Sequence, residues 1–293
     1  MGGRRKGFTL IELLVVISII ALLMSIFMPA LRNVRDQAKD ALCKQRLQQW
    51  AVMFNMYADD NDGQLMDMNR IEGVVMHHGW TNRMYPYAKT FEIYLCPSAV
   101  YFWSDTENFA DPLTAWDYRF IAEEIPEIWN EWWDQKYHKI GDQYAYGSYG
   151  KNVYVSSADV IRDEDPDYYP IWYHNIRVKG VSEIPLFGDC NYTGAFSDPH
   201  DAPAETRLHG PVDGENINRF NIDRHRLSIN MVFLDWSVRK VGLRQLWRLK
   251  WSKEKVDEGG QRVNAWGNLN VVPNWNDPMA WPEWMRQSKN YDL

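Results

Sequence analysis

The pattern of apolar and polar positions divides the chain early. From Phe8 to Met28 the residues are apolar or small, Glu12 is the only ionised one, and Arg4, Arg5 and Lys6 stand directly before the run. A helix needs ~20 mostly apolar residues to cross a bilayer. The basic flank favours a cytoplasmic N-terminus, with the rest of the chain on the far side. Past Pro29 the apolar residues become periodic. Leu31, Val34, Ala38, Ala41, Leu42, Leu47, Trp50, Ala51, Phe54 and Tyr57 recur at steps of three and four, with Arg32, Arg35, Asp36, Lys39, Asp40, Lys44 and Arg46 between them. This is one apolar face of a helix. The spacing predicts one rod from Phe8 to about Tyr57, lipid-facing first and packed on a domain second. Pro29 falls near the junction, where a bend is tolerated. Asp59-Asp60-Asn61-Asp62-Gly63 ends the rod. It resembles a calcium loop, but the first ligand position falls on Ala58 and no acid stands at the twelfth. A C-terminal turn with Gly63 in a left-handed conformation fits better.

The second pattern, beyond the rod, is that of strands. Gly147–Asn152 reads as a turn leading into a strand at Val153–Val155. Val181–Asp189 reads as a buried strand entered through Pro185. His225–Val241 gives two apolar runs about a two-residue break at Asp235 and Trp236, the pattern of a hairpin. Between them, Gly63–Pro97 is loops and short elements, and Phe120–Tyr137 fits an amphipathic helix with Ile121, Ile125, Ile128, Trp129, Trp132 and Trp133 inward. Asp163–Pro170 and Asp198–Asn221 are polar, proline-broken loops. These elements predict an α+β domain.

Composition and candidate chemistry narrow the function. The formal charge is -7, and loss of Arg4, Arg5 and Lys6 takes it to -10. That balance argues against nucleic-acid binding, which needs basic patches. Three cysteines are too few for a disulfide scaffold. Export permits one bridge; Cys43 and Cys96 are the natural pair with Cys190 left over, although sequence does not fix the connectivity. His77 and His78 point in different directions with no third ligand nearby. The acids Glu123, Glu124, Glu127, Glu131 and Asp134 read as a solvated helix face rather than a glycosidase pair. His225 and Asp235 lack a nucleophile or third partner. No nucleotide-binding loop, Ser/His/Asp set or zinc motif is evident, so the expectation is a non-enzyme with no cofactor and no metal.

The stretch Lys6-Gly7-Phe8-Thr9-Leu10-Ile11-Glu12 resembles the class III signal of type IV pilins and type II secretion pseudopilins. The resemblance implies cleavage after Gly7 by prepilin peptidase, methylation of Phe8, and pairing of Glu12 with the N-terminal amine of a neighbouring subunit. The physics agrees: cleavage exposes a cationic amine near a carboxylate that is costly to leave unpaired in lipid. Further residues resemble a large pilin-like subgroup with an H-x9-DG element: Cys43, Tyr57–Gly63, Cys96-Pro97-Ser98, Ser148-Tyr149-Gly150, His225 with Asp235, and Trp247–Trp251. Trp236 stands where that element has glycine, so the turn should be wider than a tight type I′ turn. The resemblance also admits calcium in the late loop, at His200, Asp201, His209, Asp213 and Glu215.

The resulting expectation is a pilin-like α+β fold, its long N-terminal helix packed on an antiparallel sheet with loop-rich insertions. Residues 1–7 form the leader, 8–29 the membrane half of the helix, 30–58 its amphipathic half, 59–252 the exported domain, and 253–293 a Trp/Asn/Pro-rich tail. The implied role is a subunit of a type II secretion pseudopilus or type IV pilus-like filament. It sits in a bacterial inner membrane with a single span, or in a periplasmic or surface filament. Its partners are the lipid bilayer, prepilin peptidase, other subunits and an inner-membrane assembly platform. The 15 tryptophans support one alternative, a membrane-tethered glycan-binding module with exposed stacking rings.

Overall fold

The computed structural model describes residues 9–66, 70–71, 74–75, 79–102, 112–117, 139–140, 143–144, 146–157, 173–195, 203–204, 216–251, 255–256, 262–263, 277, 279, 281–289 and 291. Several expectations fall outside these residues: the Gly7–Phe8 junction, His77 and His78, the helix at 120–137, the loop at 163–170, the late-loop acids and histidines from His200 to Glu215, and most of the tail.

Helix α1 spans Leu10–Asp60 without interruption through Pro29. The proline removes one backbone hydrogen bond, and the turns on either side continue the helix. The C-terminus closes as the sequence predicts. The Gly63 N–H donates to Ala58 O at 2.7 Å, with Gly63 at φ +81°. Asp60 accepts from the Tyr87 hydroxyl at 2.6 Å.

The inward face of α1 differs from the sequence expectation. Leu31, Val34, Ala38, Ala41 and Leu42 are exposed, and the buried residues are Cys43, Leu47, Trp50, Ala51, Met53, Phe54 and Ala58. Counted back from Trp50 in helical steps, the seam falls on Leu47 and then Cys43. Leu42 lies about 100° round the helix from Cys43, so it is carried off the seam.

Among the described residues the largest sheet has five strands: β1 (Tyr149–Asn152), β2 (Pro185–Asp189), β3 (Gly194–Ala195), β4 (Ser228–Phe233) and β5 (Val238–Gly242). Their order is β3-β1-β2-β4-β5, antiparallel except for the β3–β1 pair. Helix α1 packs on β4 and β5. Alternation along β4 divides the interior in two. Val232 joins the helix-side core with Trp50, Phe54, Trp80, Tyr94 and Phe187. Ile229, Met231 and Phe233 join a second core with Phe220, Leu246, Trp247, Trp251 and Trp281. Trp50 anchors the first, its ring centroid 4.9 Å from Tyr94 and 5.2 Å from Phe187.

Three local expectations shift. Residues 149–152 form β1 itself rather than a turn, and Val153–Val155 make a turn and a single bridge to Tyr173. Val181–Glu183 is a 3-10 turn ahead of β2. Counted within the closing pair Phe233 and Ser237, the β4–β5 loop is three residues, Leu234–Trp236, not two. Trp236 N–H donates to Phe233 O at 2.9 Å, and Phe233 N–H donates to Ser237 O at 2.9 Å. The last loop residue of such a turn takes positive φ, and Trp236 adopts 67°. A left-handed non-glycine residue costs ~1–2 kcal/mol. The ring offsets this by packing against the helix-side core.

Candidate functional site

Two features stand apart from ordinary packing. The first is the outer half of α1. From Leu10 to Ala38 every side chain is exposed, and this helix is long and apolar enough to cross a membrane. Its polar side chains are dealt with locally. Ser18 Oγ donates to Leu14 O at 2.8 Å and Ser25 Oγ to Leu22 O at 2.7 Å. Backbone groups satisfied within the segment are what lipid burial demands. Glu12 is placed by a capping box. Its Oε2 accepts from the Thr9 N–H and Oγ1, each at 2.8 Å, and Thr9 Oγ1 accepts from the Glu12 N–H at 3.3 Å.

The second feature is buried where α1 meets the sheet. Cys43 of α1, Cys96 in the loop before Pro97, Asp189 at the end of β2 and His225 ahead of β4 bring one ligand-type atom each to within 4.8 Å of one another. Cys43, Cys96 and Asp189 are fully buried and His225 is 4% exposed. His225 Nε2 lies 3.3 Å from Cys96 Sγ and 3.2 Å from Asp189 Oδ2. Cys43 Sγ is 3.6 Å from both Asp189 oxygens, and the Tyr149 hydroxyl donates to it at 3.5 Å.

Neighbouring groups fix this set in place. Asp40, one turn before Cys43, faces His225 Nδ1 at 3.5 Å and accepts from Asn230 Nδ2 at 2.7 Å and Lys240 Nζ at 2.9 Å. Asp189 Oδ2 accepts from the Asn230 N–H at 2.9 Å, and Arg224 Nη1 stands 3.6 Å from Oδ1. The Arg224 guanidinium also donates to the carbonyls of Pro112, Thr114, Ser148 and Cys190, tying four segments together. Arg226 and Leu227, directly after His225, both adopt left-handed φ (60° and 56°). Such strain persists only where surrounding contacts over-determine it. Here Arg226 is tied to Asn33 and Asp36 of α1 at 2.6 and 3.2 Å.

The electrostatics divide the four groups. Burial raises the Asp189 carboxyl, but the His225 and Arg224 charges and the Asn230 N–H outweigh it and hold the group below its usual range. Burial pulls His225 down, yet the charge and hydrogen bond of Asp189, with Cys96, lift it to about 10. Burial pushes Cys96 up, while Cys43 and His225 bring it to about 6; Cys43 itself is raised well above the ordinary thiol value by burial, Cys96 and Asp189. The two thiols are thus driven in opposite directions, Cys96 down and Cys43 up.

The sequence reading assembled these residues differently. It linked His225 and Asp235 by spacing alone, as a family element; in the structure Asp235 is exposed in the hairpin loop, accepting from the Ser237 N–H and Oγ at 3.0 and 2.6 Å, and His225 meets Asp189. Cys43 and Cys96, read as the natural disulfide pair, are free thiols here, as is Cys190. Asp189 and Asp40 were not singled out. The one available signal for Asp189 was an acid closing an otherwise apolar strand. Among the described tryptophans, Trp50, Trp80, Trp116, Trp247, Trp251 and Trp281 are buried and Trp236 and Trp284 half-buried, so they act as core filler.

Residues 2–28 match the prokaryotic N-terminal methylation motif. The chain is 44% identical over 57 residues to the type IV wide pilus major component PilA4 of Thermus thermophilus, a match covering 20% of this chain and 44% of that protein. The chain thus spans less than half the length of this curated relative. No solved structure matches it. A methylation motif, an apolar N-terminal helix standing clear of its domain and an antiparallel-rich α+β body together give the chain a pilin-type N-terminal signal on a pilin-like α+β architecture.

Proposed function

We propose that the chain is a structural subunit of a pilus- or pseudopilus-type filament, drawn from the membrane after cleavage behind Gly7. The observation that carries this reading is the unpartnered apolar rod. Leu10–Val34 is exposed along its whole length, and most of it, as far as Met28, lies within the match to the methylation motif. A face of that size needs lipid or other rods to cover it. In the membrane the rod is a single span; in a filament the same residues pack on copies of themselves. Prepilin peptidase and an assembly platform are the partners this reading requires. Glu12 receives the freshly exposed amine of a neighbour, a pair that neutralises both charges in a low-dielectric setting.

The capping box suggests the sharpest test. Gln at the same position keeps the reciprocal cap but removes the charge. Glu12→Gln is expected to leave insertion and processing intact, with a mature mass lacking residues 1–7, while the protein disappears from sheared filaments. Wild-type amounts of Glu12→Gln in those filaments would reduce Glu12 to a helix cap.

A further inference from the structure

We infer that Cys43, Cys96, Asp189 and His225 form a structural zinc site that fastens the rod to the domain. Four donor types are present: two sulfurs, an imidazole and a carboxylate. Ligands at ~2.0–2.3 Å on the corners of a tetrahedron lie roughly 3.3–3.8 Å apart. The measured separations of 3.2, 3.3 and 3.6 Å fall at or close to that spacing. A set of four protein ligands closes the coordination sphere, which marks a structural rather than a catalytic centre. Sulfur with imidazole selects zinc over the hard cations calcium and magnesium.

The surroundings are those of a metal site. A ligating histidine commonly gives its second ring nitrogen to a carboxylate, which fixes its tautomer and aims it. Asp40 stands at His225 Nδ1 in that way, leaving Nε2 toward the two sulfurs and Asp189. Tyr149 directs its hydroxyl at Cys43 Sγ. The charges also close: a divalent ion with two thiolates and one carboxylate leaves one negative charge, beside the Arg224 guanidinium. Zinc takes thiolates and a neutral imidazole, so any protons on the two sulfurs and on His225 Nε2 leave to solvent on binding. A cleft of about 360 Å³, lined by Asp36, Asp40, Ser98, His225, Arg226 and Lys240, offers an ion a way in. A disulfide between Cys43 and Cys96 uses neither the imidazole nor the carboxylate that converge on them. The ligands come from α1, a loop, β2 and the segment before β4, so one ion joins the rod to three parts of the domain. The inference is independent of whether the rod polymerises.

The test uses the full chain purified in detergent without added reductant. Elemental analysis is expected to give one zinc per chain. Exchange for Co²⁺ should produce the sulfur-to-cobalt charge-transfer band and tetrahedral d–d bands, and chelation should lower the thermal midpoint until zinc is restored. Cys43→Ser should lose the charge-transfer intensity of one sulfur, and Cys190→Ser should keep the full spectrum. Asp40→Asn, acting through His225, should weaken zinc affinity by roughly 10–100-fold. If the variants fail to fold, the wild-type cobalt spectrum still decides. The site is overturned by a chain free of metal that gives no cobalt bands. It is equally overturned by an intact mass two hydrogens light with Cys43 and Cys96 joined.

Discussion

Gly63 shows how one residue ends a long element. At φ +81° it accepts a conformation that other residues resist, and a Cβ there would sit 3.0 Å from Asn175 Oδ1. Both effects act in the same direction, so Gly63→Ala should cost ~1–2 kcal/mol, read as a lower denaturation midpoint with an unchanged slope. Trp236 shows the opposite arrangement, with the same backbone demand met by a side chain that packs well enough to stay. The demand at Gly63 was legible in the sequence, because a glycine after an acidic helix end has few other uses. The identity of Asp189 as the partner of His225 was not. The two are 36 positions apart, in segments whose approach is set by the β2–β4 pairing.

Helix α1 is one element with two environments. Its inner half carries Trp50, fully buried among aromatic rings, and its outer half carries Leu22, which is 64% exposed. Trp50→Ala removes a packed ring and should destabilise the domain by ~3–5 kcal/mol. Leu22→Ala should move it by no more than ~0.5 kcal/mol. Chemical denaturation in detergent measures both, and a large effect of Leu22 on domain stability would mean that the rod folds back on the body. Periodicity revealed this helix and its length, but placed Ala41 and Leu42 on the inner face. The phase of a helix follows from what it packs against, and here the sheet offers Asn230 to Asp40 and buries Cys43.

Across the whole molecule, stability should follow the same boundary. Residues 43–58 share the helix-side core, whereas 30–38 are exposed and meet the domain through the Arg226 bonds to Asn33 and Asp36 rather than through packing. Amide hydrogen exchange in detergent should therefore show 43–58 opening with the global unfolding of the domain, and 30–38 exchanging far faster. Equal protection of the two stretches would place an unseen surface against the outer helix. The sequence by itself determined the membrane-length apolar run, the methylation signal, the single acid within the run and the α+β class. Each of these is written in neighbouring residues, where lipid thickness, peptidase recognition and strand alternation all act over short distances. Only the tertiary structure decided the phase of α1, the burial of Trp80, Trp116, Trp247, Trp251 and Trp281, and the meeting of Cys43, Cys96, Asp189 and His225. Those depend on which distant segments the sheet order brings together, and no local spacing encodes that.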